Sequence, residues 1–189
     1  MSVSLTILGI AGSLRKASCN RAVLSAAQQL APKDSPIEIF DLEGIPVFNQ
    51  DNEDPAPARV AEFKKKIRTT DAILFVTPEY NYSIPGPLKN AIDWASRPYG
   101  DNAWDGKPVA MMGASPGMLG TARAQYHLRQ CFVFLNMYPL NKPEVMINNC
   151  TERFDEQGNL SDEDTREHIR KLIHALANWT RQLQKARSK

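Results

Sequence analysis

Residues 72–95 read AILFVTPEYNYSIPGPLKNAIDWA. The run Ala72–Thr77 is apolar without alternation, as expected of a parallel strand covered on both faces. At the far end Leu88, Ala91, Ile92 and Ala95 recur at i, i+3, i+4 and i+7, one face of a helix, and Pro87 suits its first turn. An apolar strand, a proline-braced loop and an amphipathic helix in direct succession are the repeating unit of a parallel α/β sheet.

The same alternation extends in both directions. Apolar runs at Leu5–Ile10, Ile37–Leu42 and Val109–Gly113, with a weaker one at Val145–Ile147, read as strands. Helical faces are set by Val23, Ala27 and Leu30; by Val60, Phe63 and Ile67; by Leu128, Cys131, Phe132 and Leu135; and by Ile169, Leu172, Ile173 and Leu176. Ser161-x-x-Asp164 resembles a capping box before the last helix. The expectation is one α/β domain over residues 1–189, a doubly wound five-stranded parallel sheet with helices on both faces.

The 189 residues carry a formal net charge of +2, with 42% apolar and 23% charged side chains, the balance of a globular chain. No run reaches the roughly 18 apolar residues of a transmembrane helix. The start, MSVSLTILGIAGS, has neither the basic region nor the cleavage site of a signal peptide, so the expected compartment is cytoplasmic. Lys64–Lys66 with Arg68 read as the solvated face of a helix, the tail RQLQKARSK reads as a fraying helix end, and nucleic acid is not an expected partner. Cys19, Cys131 and Cys150, with His127, His168 and His174, show no C-x-x-C and no zinc spacing, so neither a disulfide scaffold nor a metal site is expected.

In a doubly wound sheet, ligands bind outside the C-terminal strand ends where strand order reverses. Three loops of unusual composition fall there: Ser13–Asn20, Pro78–Gly86 and Ala114–Thr121. In the first, Ser13, Ser18 and Asn20 supply hydroxyl and amide donors, Arg15 can grip an oxyanion, and the following helix start adds N–H groups. Neither G-x-x-x-x-G-K-[ST] nor G-x-G-x-x-G is present, so a monophosphate suits the loop and a triphosphate does not. Ser18 or Asn20 alone reads as a helix cap; the whole loop, with Arg15, reads as a phosphate site. Cys19 lacks the arginine six positions downstream that a phosphatase nucleophile requires, position 25 being serine, and reads as a small packing residue. The second loop offers Tyr80, Tyr82, Asn81 and free backbone groups, a mixture suited to a flat heteroaromatic ring or simply a rigid turn. In the third, Gly113, Ala114, Ser115 and Gly117 allow close ligand approach or serve a tight turn alone.

Taken together, GSLRKASCN (12–20), PEYNYSIPGPLKNAIDW (78–94) and GASPGMLG with RAQYHLRQ (113–120 and 123–130) resemble the NADPH-dependent FMN reductase family. QYHLRQ and NKPEVM (141–146) are most similar to its chromate and quinone reductase branch. The resemblance covers residues from about 5 to 150 and implies a flavodoxin-like fold. It implies that Ser13, Arg15, Ser18 and Asn20 hold the phosphate of FMN, with the backbone of Leu14, Lys16, Ala17 and Cys19 closing around it. Pro78, Glu79, Tyr80, Asn81 and Tyr82 would line the isoalloxazine, largely through main-chain groups, and Ser115 would complete the site. The redox chemistry belongs to the flavin, so no catalytic side chain is implied. The implied reaction is a two-step exchange: NADPH or NADH reduces FMN and leaves, then a quinone, chromate or related acceptor enters a crevice walled by Tyr80, Tyr82 and the Arg97–Trp104 segment. The alternatives are a flavodoxin-type electron carrier, usually strongly acidic, or an azo, nitro or free-flavin reductase. A homodimer or homotetramer is also implied, with Arg123, Tyr126, His127 and Arg129 near Trp94 or Trp104 as an interface or a solvated face. Gly120–Thr121 stands where relatives often have paired glycines.

Overall fold

The computed structural model describes residues 4–187. Along the chain lie β1 (Ile7–Ala11), α1 (Cys19–Leu30), β2 (Ile37–Phe40), α2 (Ala58–Thr69), β3 (Ala72–Val76), α3 (Gly86–Ala95), β4 (Pro108–Ala114), α4 (Ala122–Phe134), β5 (Tyr138–Pro139), β6 (Val145–Ile147) and α5 (Glu163–Arg187). Every strand pair is parallel and the order is β2-β1-β3-β4-β5, with β6 also on β4. The fifth position is therefore shared: β5 pairs with Pro108 and Val109 at the start of β4, and β6 with Met112–Ala114 at its end. The sequence reveals only the second half, because two residues, one of them Pro139, are too few to show a period.

The unbroken apolar run of β3 resolves into two interleaved sets. Leu74 and Val76 lie with Ile7 in the core beneath α1 and α5, while Ile73 and Phe75 lie with Leu8 and Ile10 in the core beneath α2, α3 and α4. A strand with both faces buried gains nothing from alternation, which is why none appears in the sequence.

Four readings need correction. Lys64 is buried, not solvated: its ammonium pairs with Asp101 at 2.6 Å and also donates to the Arg97 carbonyl. The tail stays helical as far as Arg187 and is tied to the fold, Arg181 pairing with Asp34 and Arg187 donating to the Gly106 carbonyl at 2.7 Å; Ser188 and Lys189 lie outside the described residues. Asp162, not Ser161, caps α5, accepting from the Thr165 N–H at 2.9 Å and from the Thr165 hydroxyl. The hydroxyl bond first, then the backbone bond, holds the Asp162 carboxyl below its ordinary pKa. Trp94 and Trp104 are both buried, donating to the carbonyls of Pro46 and Ile92, so neither is available to an interface.

Strand order reverses between β1 and β3, so the loops leaving them diverge and open a crevice at their C-terminal ends. Among the described residues no helix is long and apolar enough to cross a membrane.

Candidate functional site

The loop after β1 is built from its own polar groups. Gly12 extends the ladder by donating to the Val76 carbonyl at 2.9 Å, and the chain then folds back as Ser18 N–H donates to the Arg15 carbonyl at 3.1 Å. Ser18 is the N-cap of α1, its Oγ accepting from the Asn20 N–H at 3.2 Å. Ser13 Oγ accepts from the Arg15 N–H at 3.3 Å and lies 3.4 Å from the Tyr80 hydroxyl. A hydroxyl has one donor and two acceptor sites, so accepting a backbone N–H leaves each serine able to donate to an anion. Arg15 is exposed and has no ion-pair partner among the described residues. The N–H groups of Lys16, Ala17 and Cys19 likewise take no partner among the described residues, and they stand where the α1 dipole favours negative charge.

Asn20 has a further task. Its amide both accepts from the Ala114 N–H and donates to the Ala114 carbonyl, each at 2.8 Å, binding the start of α1 to the end of β4. One Nδ2–H remains beyond that clamp. The third loop continues it: Ser115 N–H donates to the Ile147 carbonyl at 3.0 Å, and Cys150 N–H donates to the Ser115 carbonyl at 3.1 Å. Gly113 is required here, because a Cβ would overlap the Thr77 carbonyl and the Thr121 hydroxyl. Thr121 has φ −125°, outside the left-handed region, so no glycine is needed there; its buried Oγ1 accepts from Gln125 Nε2 at 3.0 Å.

The second loop projects as a tight turn. Tyr80 and Ser83 exchange backbone hydrogen bonds of 3.1 and 2.9 Å around Asn81 (φ 48°) and Tyr82 (φ 66°), the two positive φ values of a two-residue hairpin turn. Such a conformation costs on the order of 1–3 kcal/mol per non-glycine residue and persists only where neighbours hold it. Arg123 is one holder, its guanidinium 3.6 Å from the Tyr82 ring centroid. Glu79 is the other: its buried carboxylate accepts from the N–H groups of Arg123 and Ala124 at 3.0 and 3.2 Å and pairs with the Arg123 side chain. The Glu79 carboxylate thus caps α4 and anchors the loop. Hydrogen bonding to Glu79 raises the Arg123 pKa above its ordinary value.

Nine of the expected residues meet around one cavity of about 120 Å³: Ser13, Arg15, Ser18, Cys19, Asn20, Pro78, Glu79, Tyr80 and Ser115. Leu14 instead lines an adjoining groove with Val47 and Pro87, Lys16 and Ala17 are exposed, and Asn81 and Tyr82 stand outside the cavity lining. The Arg97–Trp104 segment is not in that lining; Arg97 and Tyr99 border a different hollow with Phe48 and Phe134. Reasoning from sequence missed Cys150, which lines the cavity, and the part Arg123 plays in the second loop. Cys150 was within reach: once Val145–Ile147 is read as a strand, the loop at its C-terminal end belongs with the others.

A flavodoxin-like strand order with an anion-sized, hydroxyl- and N–H-rich cavity at its switch point defines a nucleotide- or flavin-phosphate-binding α/β protein. The chain belongs to the NADPH-dependent FMN reductase family, whose model matches residues 5–152. It is 53% identical to an NAD(P)H-dependent FMN reductase of Pseudomonas aeruginosa, over 97% of this chain and 99% of that one. It is 42% identical to a 2-hydroxy-1,4-benzoquinone reductase of a Burkholderia species, over 95% and 98% of the two chains. The solved structure of a flavoenzyme NAD(P)H:(acceptor) oxidoreductase from Paracoccus denitrificans superposes with a TM-score of 0.87 at 37% identity, over 94% of this chain and 98% of that one. The family and its relatives make this chain an oxidoreductase of the FMN-dependent kind.

Proposed function

We propose that the protein is an FMN-dependent NAD(P)H:quinone oxidoreductase, carried by a single flavodoxin-like unit over residues 1–189. The observation that carries the reading is the cavity at the switch point, with the Arg15 guanidinium unpaired by any described carboxylate. Its size and donor chemistry fit a phosphate dianion, and its place in the strand order fits FMN.

In this reading Ser13, Arg15 and Ser18, with the backbone N–H groups of Leu14, Lys16, Ala17 and Cys19, hold the phosphate, and Asn20 keeps the cavity closed through Ala114. Pro78, Tyr80 and Ser115 flank the path toward the ring. Glu79 fixes the loop whose main chain at Tyr80–Tyr82 meets the ring edge. When bound, FMN supplies the two-electron chemistry between the nicotinamide and the acceptor. The residues themselves would bind and orient the flavin, and donor and acceptor would use the exposed site in turn. An exposed site of this kind suits quinones, with chromate as a further small acceptor. A homodimer or homotetramer is part of the same reading, supported by the exposed Tyr126, Val133 and Phe134 of α4, and so is a cytoplasmic location.

The test is to saturate the purified protein with FMN, desalt it, add NADPH without oxygen and then add a quinone. Retained flavin absorbance, bleached by NADPH and restored by the quinone, is expected. Retained bands that NADPH does not bleach would establish an electron carrier instead, and no retained flavin would overturn the site.

A further inference from the structure

Two thiols far apart in the sequence face each other in the cavity. Cys19 opens α1 and is half-buried; Cys150 opens a short 3-10 turn, Cys150–Arg153, and is fully buried. They lie 131 positions apart in sequence, yet their Sγ atoms are 2.8 Å apart, the Cys150 thiol donating to Cys19. Both are free thiols, and the proposed function uses neither. Cys131 stands in the other core, where its Sγ donates to the His127 carbonyl at 3.7 Å.

The contact is set by backbone anchors. Cys150 is held by its N–H to the Ser115 carbonyl, and Cys19 is the neighbour of Asn20, whose amide grips Ala114. Each cysteine side chain has a single χ angle to its sulfur, so one staggered rotamer on each anchored backbone is enough to bring the two sulfurs together.

We propose that Cys19 and Cys150 are an oxidation site, closing a reversible disulfide across the floor of the cavity when the protein meets hydrogen peroxide. Cys19 reacts first: peroxide transfers one oxygen to its sulfur, giving the sulfenic acid and one water. The Cys150 sulfur then attacks the Cys19 sulfur; the S–S bond forms as the S–O bond breaks, and the hydroxyl leaves as a second water with the Cys150 proton. One peroxide is reduced, and the dithiol loses two hydrogens. The order follows from access: both thiols line the cavity, but Cys19 is partly exposed and Cys150 is fully buried. Burial, reinforced by Cys19, pushes the Cys150 thiol up to about 12, which leaves it protonated and slow toward peroxide itself. A dithiol reductant reverses the link.

The bond would make covalent a connection that Asn20 and Ala114 already make by hydrogen bonds. It closes a long loop, so it removes entropy from the unfolded chain. A rise in Tm on the order of 10 °C is expected.

The experiment treats the full, reduced chain with a small excess of hydrogen peroxide, then reads intact mass, peptides mapped without reductant, and Tm. The expected result is a loss of about 2 Da, one linked peptide pair containing Cys19 and Cys150, a higher Tm, and reversal by dithiothreitol. Cys131→Ser keeps all of this; Cys19→Ser and Cys150→Ser lose the link. Oxygen gained at Cys19 without a link, a link through Cys131, or no change of mass would each overturn the proposal. The peptide map of the unaltered protein decides the matter even if a variant folds poorly. None of these readouts depends on flavin, so failure here leaves the proposed function standing.

Discussion

The two loops that flank the switch point solve opposite problems. The loop after β1 is short in reach and rich in internal bonds: Ser13 and Ser18 are buried, both accept backbone N–H groups, and Asn20 ties the segment to β4. The loop after β3 projects outward, with Tyr82 68% exposed in a left-handed conformation, and is held from outside by Glu79 and Arg123. The first suits a small charged group, whose binding depends on donors fixed in place before it arrives. The second suits a flat surface, which needs shape and main-chain edges more than charge. The contrast teaches that one crevice sets a loop fixed by its own hydrogen bonds beside a rim held from outside.

The sharpest break of that comparison is to remove the anion. Riboflavin, which lacks the phosphate, is expected to bind about 100-fold or more weakly than FMN, because at least two charge-assisted bonds of roughly 1.5–3 kcal/mol each disappear. Equal affinities in a fluorescence titration would show that the cradle holds no phosphate.

Next in size is Asn20→Ala. It leaves the buried N–H and carbonyl of Ala114 without their partner, a cost of about 2–4 kcal/mol. A fall in Tm of about 4–12 °C is expected in a thermal melt, with FMN retention lost as well. A Tm within about 1 °C of the parent would show that the clamp is dispensable.

Arg15→Ala separates binding from stability. Its exposed guanidinium supports no other described residue, so Tm should hold while FMN affinity falls about 10-fold or more. The smallest effect belongs to the rim. Asn81→Gly relieves a positive φ and is expected to change stability by no more than about 1 kcal/mol in the favourable direction. Tyr82→Ala keeps that strain and loses the stacking on Arg123, about 0.5–1 kcal/mol at an exposed site. If Tyr82→Ala instead abolished flavin binding while leaving Tm intact, the rim would be the main binding determinant and the division of labour would be wrong.

Much of this was legible in residue order. Periodicity placed every strand of more than two residues and all five helices, because burial on one face or two writes directly into apolar spacing. The three unusual loops were found the same way, by asking what stands at C-terminal strand ends. Composition could not separate a donor aimed at a ligand from one spent on the fold. Asn20 lines the cavity and is also a clamp on Ala114; Glu79 lines it and is also the cap of α4. Lys64 looked solvated because its neighbours are basic, and the Asp101 that buries it arrives from a distant loop.

Taken by itself, then, the sequence determined the doubly wound class, the positions of its elements, and the three loops that meet at the switch-point cavity. Those depend on local periodicity, turn chemistry and the handedness of parallel connections, all of which are carried by near neighbours in the chain. Tertiary structure alone decided which polar groups remain free. It split the fifth strand position, paired Glu79 with Arg123, and brought Cys19 within 2.8 Å of Cys150. Hydrogen-bond partners are assigned across space, and a donor's remaining capacity is known only once every distant acceptor has taken its share.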